Sequence, residues 1–200
     1  MLTAVDLTAA SPASLAIPGA ESSPAKSDAG STDPENLILS MTELDLLKKP
    51  EYVHVVLNHL PIYGTILGAL ALALSLILRS RAAQITTLIL TLIAGASAYP
   101  VFITGQRAYK TIRGQSDDAG AAWLDEHMDR AEKTIGAFYF LAALALAGLL
   151  VPIKWPKTGL PLTAVTLAVA VICAGIAIYI AQAGGPIRHP EFRTSETPDP

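Results

Sequence analysis

The sequence predicts an all-α protein, a four-helix transmembrane bundle with a disordered N-terminal tail, and three observations carry that expectation. None of the 31 Asp, Glu, Lys and Arg residues falls within 52–78, 82–106, 134–153 or 158–183. Each of these windows holds at least 20 residues, the length a helix rising ~1.5 Å per residue needs to cross a hydrocarbon core of ~30 Å. Residues 1–40 are rich in Ala, Ser, Pro and Gly and poor in aromatics, a composition that cannot bury enough apolar surface to offset the entropy of ordering.

Within that tail, Asp6 precedes any Lys or Arg, and Pro12 and Pro18 interrupt the only candidate apolar core. A secretory signal peptide is therefore not expected. Residues 41–51 form the end of an amphipathic stretch, Leu37 to Lys49, which is expected to lie on the membrane surface and to stop at Pro50. The membrane domain follows over 52–183.

Span one opens on His54-Val-Val-Leu-Asn58-His59-Leu-Pro61. Pro61 lacks an N–H and suits a first helical turn that Asn58 would cap, so the helix starts either near Leu60 or, kinked at Pro61, near Tyr52. Gly64 and Gly68 stand four apart and permit close approach of a neighbouring helix. Arg79 and Arg81 mark a short turn into span two, which Gly105 is expected to end. Residues 107–133 are the one long loop, helical in its second half, with His127 about two turns before span three. Lys154-Trp155-Pro156-Lys157 makes a second short turn, and span four ends at Gly184-Gly185, leaving 184–200 as an extended tail.

Four spans put both termini, the His54–His59 mouth and the long loop on one side, so all four histidines share it. The two short turns opposite hold four basic and no acidic residues. That asymmetry predicts short turns in the cytoplasm, with termini and histidines outside. Counted over Lys and Arg alone, the histidine side is the richer one and gives the opposite sense.

The histidines are the candidate chemistry. Bundles build cofactor sites from side chains on facing helices, and neutral imidazole binds Zn, Cu and haem iron. His59 and His127, projecting from the spans, are the first-choice metal or axial pair. His54 and His189 form a second pair or outer donors, and Asn58 lies beside them as a cofactor-binding candidate. Cys-x-x-Cys-His is absent, so a haem would be haem b. The competing reading is architectural: His59 bonds a backbone carbonyl, His54 and His127 are solvated, and His189 belongs to the tail. Asp117, Asp118, Asp125, Glu126, Asp129 and Glu132 read as a solvated helical face.

Other classes are disfavoured. Cys173 stands alone, which rules out an intrachain disulfide and a cysteine-based metal centre. A net charge of −3 without a Lys/Arg-rich run argues against nucleic acid. No nucleotide loop, hydrolase elbow or HExxH pattern occurs, so no catalytic residue is assigned. The expected partners are the lipid bilayer and a membrane protein or redox complex, with electrons passing between a quinone or membrane partner and a soluble carrier. The alternative is a structural accessory subunit that packs Gly64 and Gly68 into a larger membrane complex.

At Asn58-His59-Leu60-Pro61 and at Gly184-Gly185-Pro186-Ile187-Arg188-His189-Pro190-Glu191 the chain resembles a family of uncharacterised bacterial four-span membrane proteins. Their pattern is an HxxLNHxP start, a glycine closing span two, a histidine before span three and a GGxIRHPE-like end. It maps onto His54, Asn58, His59, Pro61, Gly105, His127 and Gly184 to Glu191, within about 50–193. The family usually carries His-Glu before span three, where this chain has His127-Met128. By analogy of arrangement, the histidine pattern implies b-type membrane cytochromes.

Overall fold

The computed structural model describes residues 43–193. The disordered tail expected over 1–40 and most of the amphipathic stretch lie outside them. A single helical turn, α1 (Glu43–Leu46), precedes α2 (Pro50–Leu57), α3 (His59–Ile77), α4 (Arg81–Gln115), α5 (Asp118–Lys154) and α6 (Gly159–Arg188), with 3-10 turns at Pro156–Thr158 and Pro190–Phe192. Four stretches are long and apolar enough to cross a membrane: Pro50–Ile77, Arg81–Gln115, Asp118–Lys154 and Pro156–Arg188. The chain is an all-α, four-helix integral membrane protein. Its helices pack in a ring, α3 on α4, α4 on α5, α5 on α6 and α6 back on α3, with α2 laid against α4.

Pro50 opens α2 rather than only ending what precedes it, because the first helical position needs no N–H partner and suits the fixed proline φ. The first span continues through Asn58, which stays right-handed helical at φ −61°, ψ −21° and makes no side-chain cap bond. The expectation that Asn58 caps a helix is corrected: it precedes α3 but its side chain makes no cap bond, and its N–H bonds His54 O at 2.9 Å, which carries the turn of α2 into α3. The break at 57–58 has its cause in Pro61, which cannot donate to Leu57 O.

The interior is assembled from small residues. A Cβ on Gly64 would lie 2.7 Å from Ala94 Cβ, one on Gly68 3.1 Å from Thr91 Oγ1, and one on Gly95 2.9 Å from Phe138 O. The Gly64/Gly68 pair thus serves packing of α3 on α4 within this chain, where the accessory-subunit alternative had assigned it to an outside partner. Around these contacts Leu72, Leu88, Leu141, Ala145, Ala170 and Cys173 are fully buried.

Two boundaries differ from expectation. Gly105 does not end span two; α4 continues ten residues past it to Gln115. Among the described residues no glycine takes the left-handed φ of a helix stop, and Arg79 at φ 49° is the one non-glycine residue with positive φ. The expected long loop is therefore the helical ends of α4 and α5, joined at Ser116 and Asp117, with the Asp117 side chain capping Gly120 N at 3.0 Å. The tail is also not extended from Gly184, since α6 runs to Arg188. Arg193 closes that end: its Nε donates to Pro186 O at 2.8 Å and its Nη2 to Ile187 O at 3.3 Å, carbonyls of the last turn that lack intrahelical partners. The same guanidinium is bidentate to Asp117, at 2.6 and 2.9 Å. Arg193 holds the Asp117 carboxyl below the usual carboxylate range.

Candidate functional site

Helical geometry sorts the span-one mouth into two faces. At 100° per residue, Asn58 and Pro61 lie within about 40° of His54 around the axis, whereas His59 lies roughly 140° away. The first three face inward and line a half-open cavity of about 410 Å³ among α2 to α6. His59 turns outward, is exposed, and stacks on Tyr63 at 5.9 Å between ring centres.

The inward histidine meets His127 of α5. Their ring centres are 6.4 Å apart and their planes stand at 89°. The first-choice pair of the sequence reading, His59 with His127, is therefore corrected to His54 with His127, for the rotational reason just given. His189 is not in the cavity either; it is exposed, bonds Glu191 Oε1 at 3.0 Å and stacks on Phe192. His59 does bond a backbone carbonyl, Val55 O at 3.0 Å, as the architectural reading expected.

His54 and His127 are held by the same device. His54 Nδ1 donates to Val101 O at 2.9 Å, and His127 Nδ1 donates to Ile180 O at 2.9 Å. Each acceptor stands four residues before a glycine, Gly105 and Gly184, whose side chain would flank that carbonyl on the helix surface. At Gly105 the opening is obligatory: a Cβ would sit 2.9 Å from His54 Cε1 and 3.0 Å from Nδ1. At Gly184 it would sit 3.4 Å from His127 Nδ1, an ordinary contact.

Chemistry follows from the tautomer. A carbonyl oxygen only accepts, so Nδ1 carries the proton in both rings and Nε2 keeps its lone pair. Neither Nε2 has a protein partner, and the only sealed, unpartnered side-chain atoms among the described residues are Asn58 Oδ1 and Trp123 Nε1. The two histidines and Asn58 thus line a mostly apolar cavity, with Ile62, Phe102, Leu124, Ile135 and Phe138 in its walls beside Glu51, Tyr109 and Arg188. A histidine oriented by a carbonyl at Nδ1 with Nε2 presented is the usual arrangement of a ligating imidazole. Among the described residues no group of three or more His, Cys, Asp or Glu side chains could hold a metal ion.

Beyond the histidines this end of the bundle carries a polar network. Tyr109 donates to Asp125, which Arg113 also contacts. Arg130 pairs with Glu126 at 2.6 Å, donates to Tyr179 O at 2.8 Å and lies 4.1 Å from the Tyr179 ring centre. Arg188 at the rim bonds Gln115 Oε1 at 2.7 Å. The acidic residues expected to be a solvated face are thus divided: Asp117 and Asp125 tie helices together, and Asp129 pairs with exposed Lys133. The roles of Gly105, Val101 and Ile180 were missed by sequence reasoning, and no pattern within one helix carries them. No family model matches the chain, nor does any curated protein or solved structure.

Proposed function

We propose that this membrane protein is a small b-type haem electron-transfer subunit whose iron is held by Nε2 of His54 and His127. The observation that carries the reading is the pair itself, two imidazoles of fixed tautomer lining one apolar cavity. Such a pair is too small a donor set for zinc, which takes three or four protein ligands. It suits a group that brings its own equatorial nitrogens. The two rings stand 6.4 Å apart, centre to centre, and their Nε2 atoms would be the ligands of such a group. The cavity's 410 Å³ lies within the range of cofactor sites.

When bound, haem supplies one-electron chemistry. The chain's own residues do the rest. Val101 O and Ile180 O raise the basicity of the two imidazoles and fix their orientation, and the mostly apolar lining favours the face of a flat apolar group. We place the protein in a bacterial inner membrane with this end on the periplasmic side, exchanging electrons with a quinone or membrane partner and a soluble carrier. We also propose kinship with the uncharacterised four-span family. Of the residues that carry the resemblance, His54, Asn58, Pro61, Gly105, His127, Gly184, Gly185, Ile187 and Arg188 line this one cavity.

The test is a reduced-minus-oxidised spectrum of the full chain, purified in mild detergent from haem-replete cells. A b-type band is expected that His54→Ala and His127→Ala each abolish and His59→Ala leaves intact. No haem band in the wild type overturns the proposal, as does a band lost with His59 and kept without His54.

A further inference from the structure

The end of the bundle opposite the histidines carries its own pattern. Between Glu51 and Asp117, and between Glu132 and Glu191, the sequence contains no acidic residue. The α3–α4 turn holds Arg79 and Arg81, and the α5–α6 turn holds Lys154 and Lys157. The two turns form one surface. Arg81 donates to Gly148 O of α5 at 3.1 Å, and a Cβ on Gly159 would lie 3.2 Å from Arg81 Nη1. Arg79, Lys154 and Lys157 are exposed and form no ion pair among the described residues. Lys154 Nζ rests 5.1 Å from the ring centre of Trp155, itself exposed.

Two features say what this surface meets. Arg79 occupies φ 49°, a left-handed conformation that disfavours any residue with a Cβ; arginine there points to a use for its charge. Directly below the cations the surface is aliphatic, with Ile77, Leu78, Ile153 and Leu160 exposed around the bundle. A soluble anion matches only the charges. A lipid matches both layers, phosphate against the cations and acyl chains against the aliphatic residues, with the Trp155 ring at the boundary.

We propose that the paired short turns bind the headgroup phosphate of anionic phospholipids, which fixes this end in the leaflet that carries them. The site is independent of the cofactor, and its test needs no haem. Native mass spectrometry of the full chain in neutral detergent compares phosphatidylglycerol with phosphatidylcholine of the same chain length. Preferential retention of the anionic lipid is expected. Each exposed cation near a membrane surface is worth about five-fold in affinity, so Arg79→Gln/Lys154→Gln/Lys157→Gln lowers the preference by roughly a hundred-fold. The charge-preserving Arg79→Lys/Lys154→Arg/Lys157→Arg retains it and controls for folding. Equal retention of the two lipids by the wild type overturns the proposal, as does an undiminished preference in the triple Gln variant. Displacement of the lipid by excess inorganic phosphate would reassign the surface to soluble anions.

Discussion

Gly105→Ala tests the geometry of the histidine pair at one atom. The new Cβ would stand 2.9 Å from His54 Cε1 and 3.0 Å from Nδ1, so the imidazole must move and its 2.9 Å bond to Val101 O must lengthen or break. Overpacking of this kind costs about 1–3 kcal/mol, and the hydrogen bond contributes about 1 kcal/mol more. Alanine in a helix interior returns about 1 kcal/mol relative to glycine. The net expectation is a destabilisation of about 1–3 kcal/mol, with loss of the proposed ligation by His54. Gly184→Ala is the matched control: its Cβ would meet His127 at an ordinary 3.4 Å, so helix propensity dominates and stability holds or rises. Thermal unfolding in detergent, read beside the haem spectrum, separates the two. A Gly105→Ala protein as stable as Gly184→Ala and spectrally normal would refute the placement of His54 against Gly105.

Two further outcomes follow from the same contacts. Asp117 is held below its ordinary pKa chiefly by its hydrogen bonds to Arg193, so the pair's stabilisation is fully present above the unfolded carboxylate value of about 3.9 and is lost as pH falls through the depressed value. Limited proteolysis at the C-terminus should accelerate on acidification in the wild type, and at neutral pH already in Arg193→Ala; acid-independent cleavage of the wild type would count against the clasp. For the histidines, His127→Gly with free imidazole returns the ligand but not the link to Ile180 O, so the haem spectrum should recover while thermal stability stays low. Recovery of neither would mean that the ring acts only as a helix-to-helix tie.

Much of the architecture was legible because it rests on short-range rules. Four charge-free windows of sufficient length become four helices, whatever their partners. The errors arose where a local signal had a distant cause. Gly105 and Gly184-Gly185 read as helix ends because glycine often stops helices; at Gly105 the missing Cβ makes room for His54 of another helix, a contact that no single helix encodes. The extended tail was misjudged for the same reason, since Arg193 satisfies the end of α6 by reaching Asp117, 76 residues away. The choice of His59 over His54 is different. Both stand in the same mouth, and the rotation of about 140° between them was available from spacing alone; His54, Asn58 and Pro61 form the face to follow.

What separates a binding site from architecture here is the unused half of each imidazole. As ties between helices, His54 and His127 need only Nδ1, and a serine or asparagine could reach the same carbonyls. That role leaves the Nε2 of each of these two cavity-lining histidines without a protein partner. Asn58 Oδ1, sealed nearby, is the acceptor for which lacking a partner is costly. A structural role uses Nδ1 alone; the proposed metal centre would use Nδ1 as the positioning bond and Nε2 as the ligand.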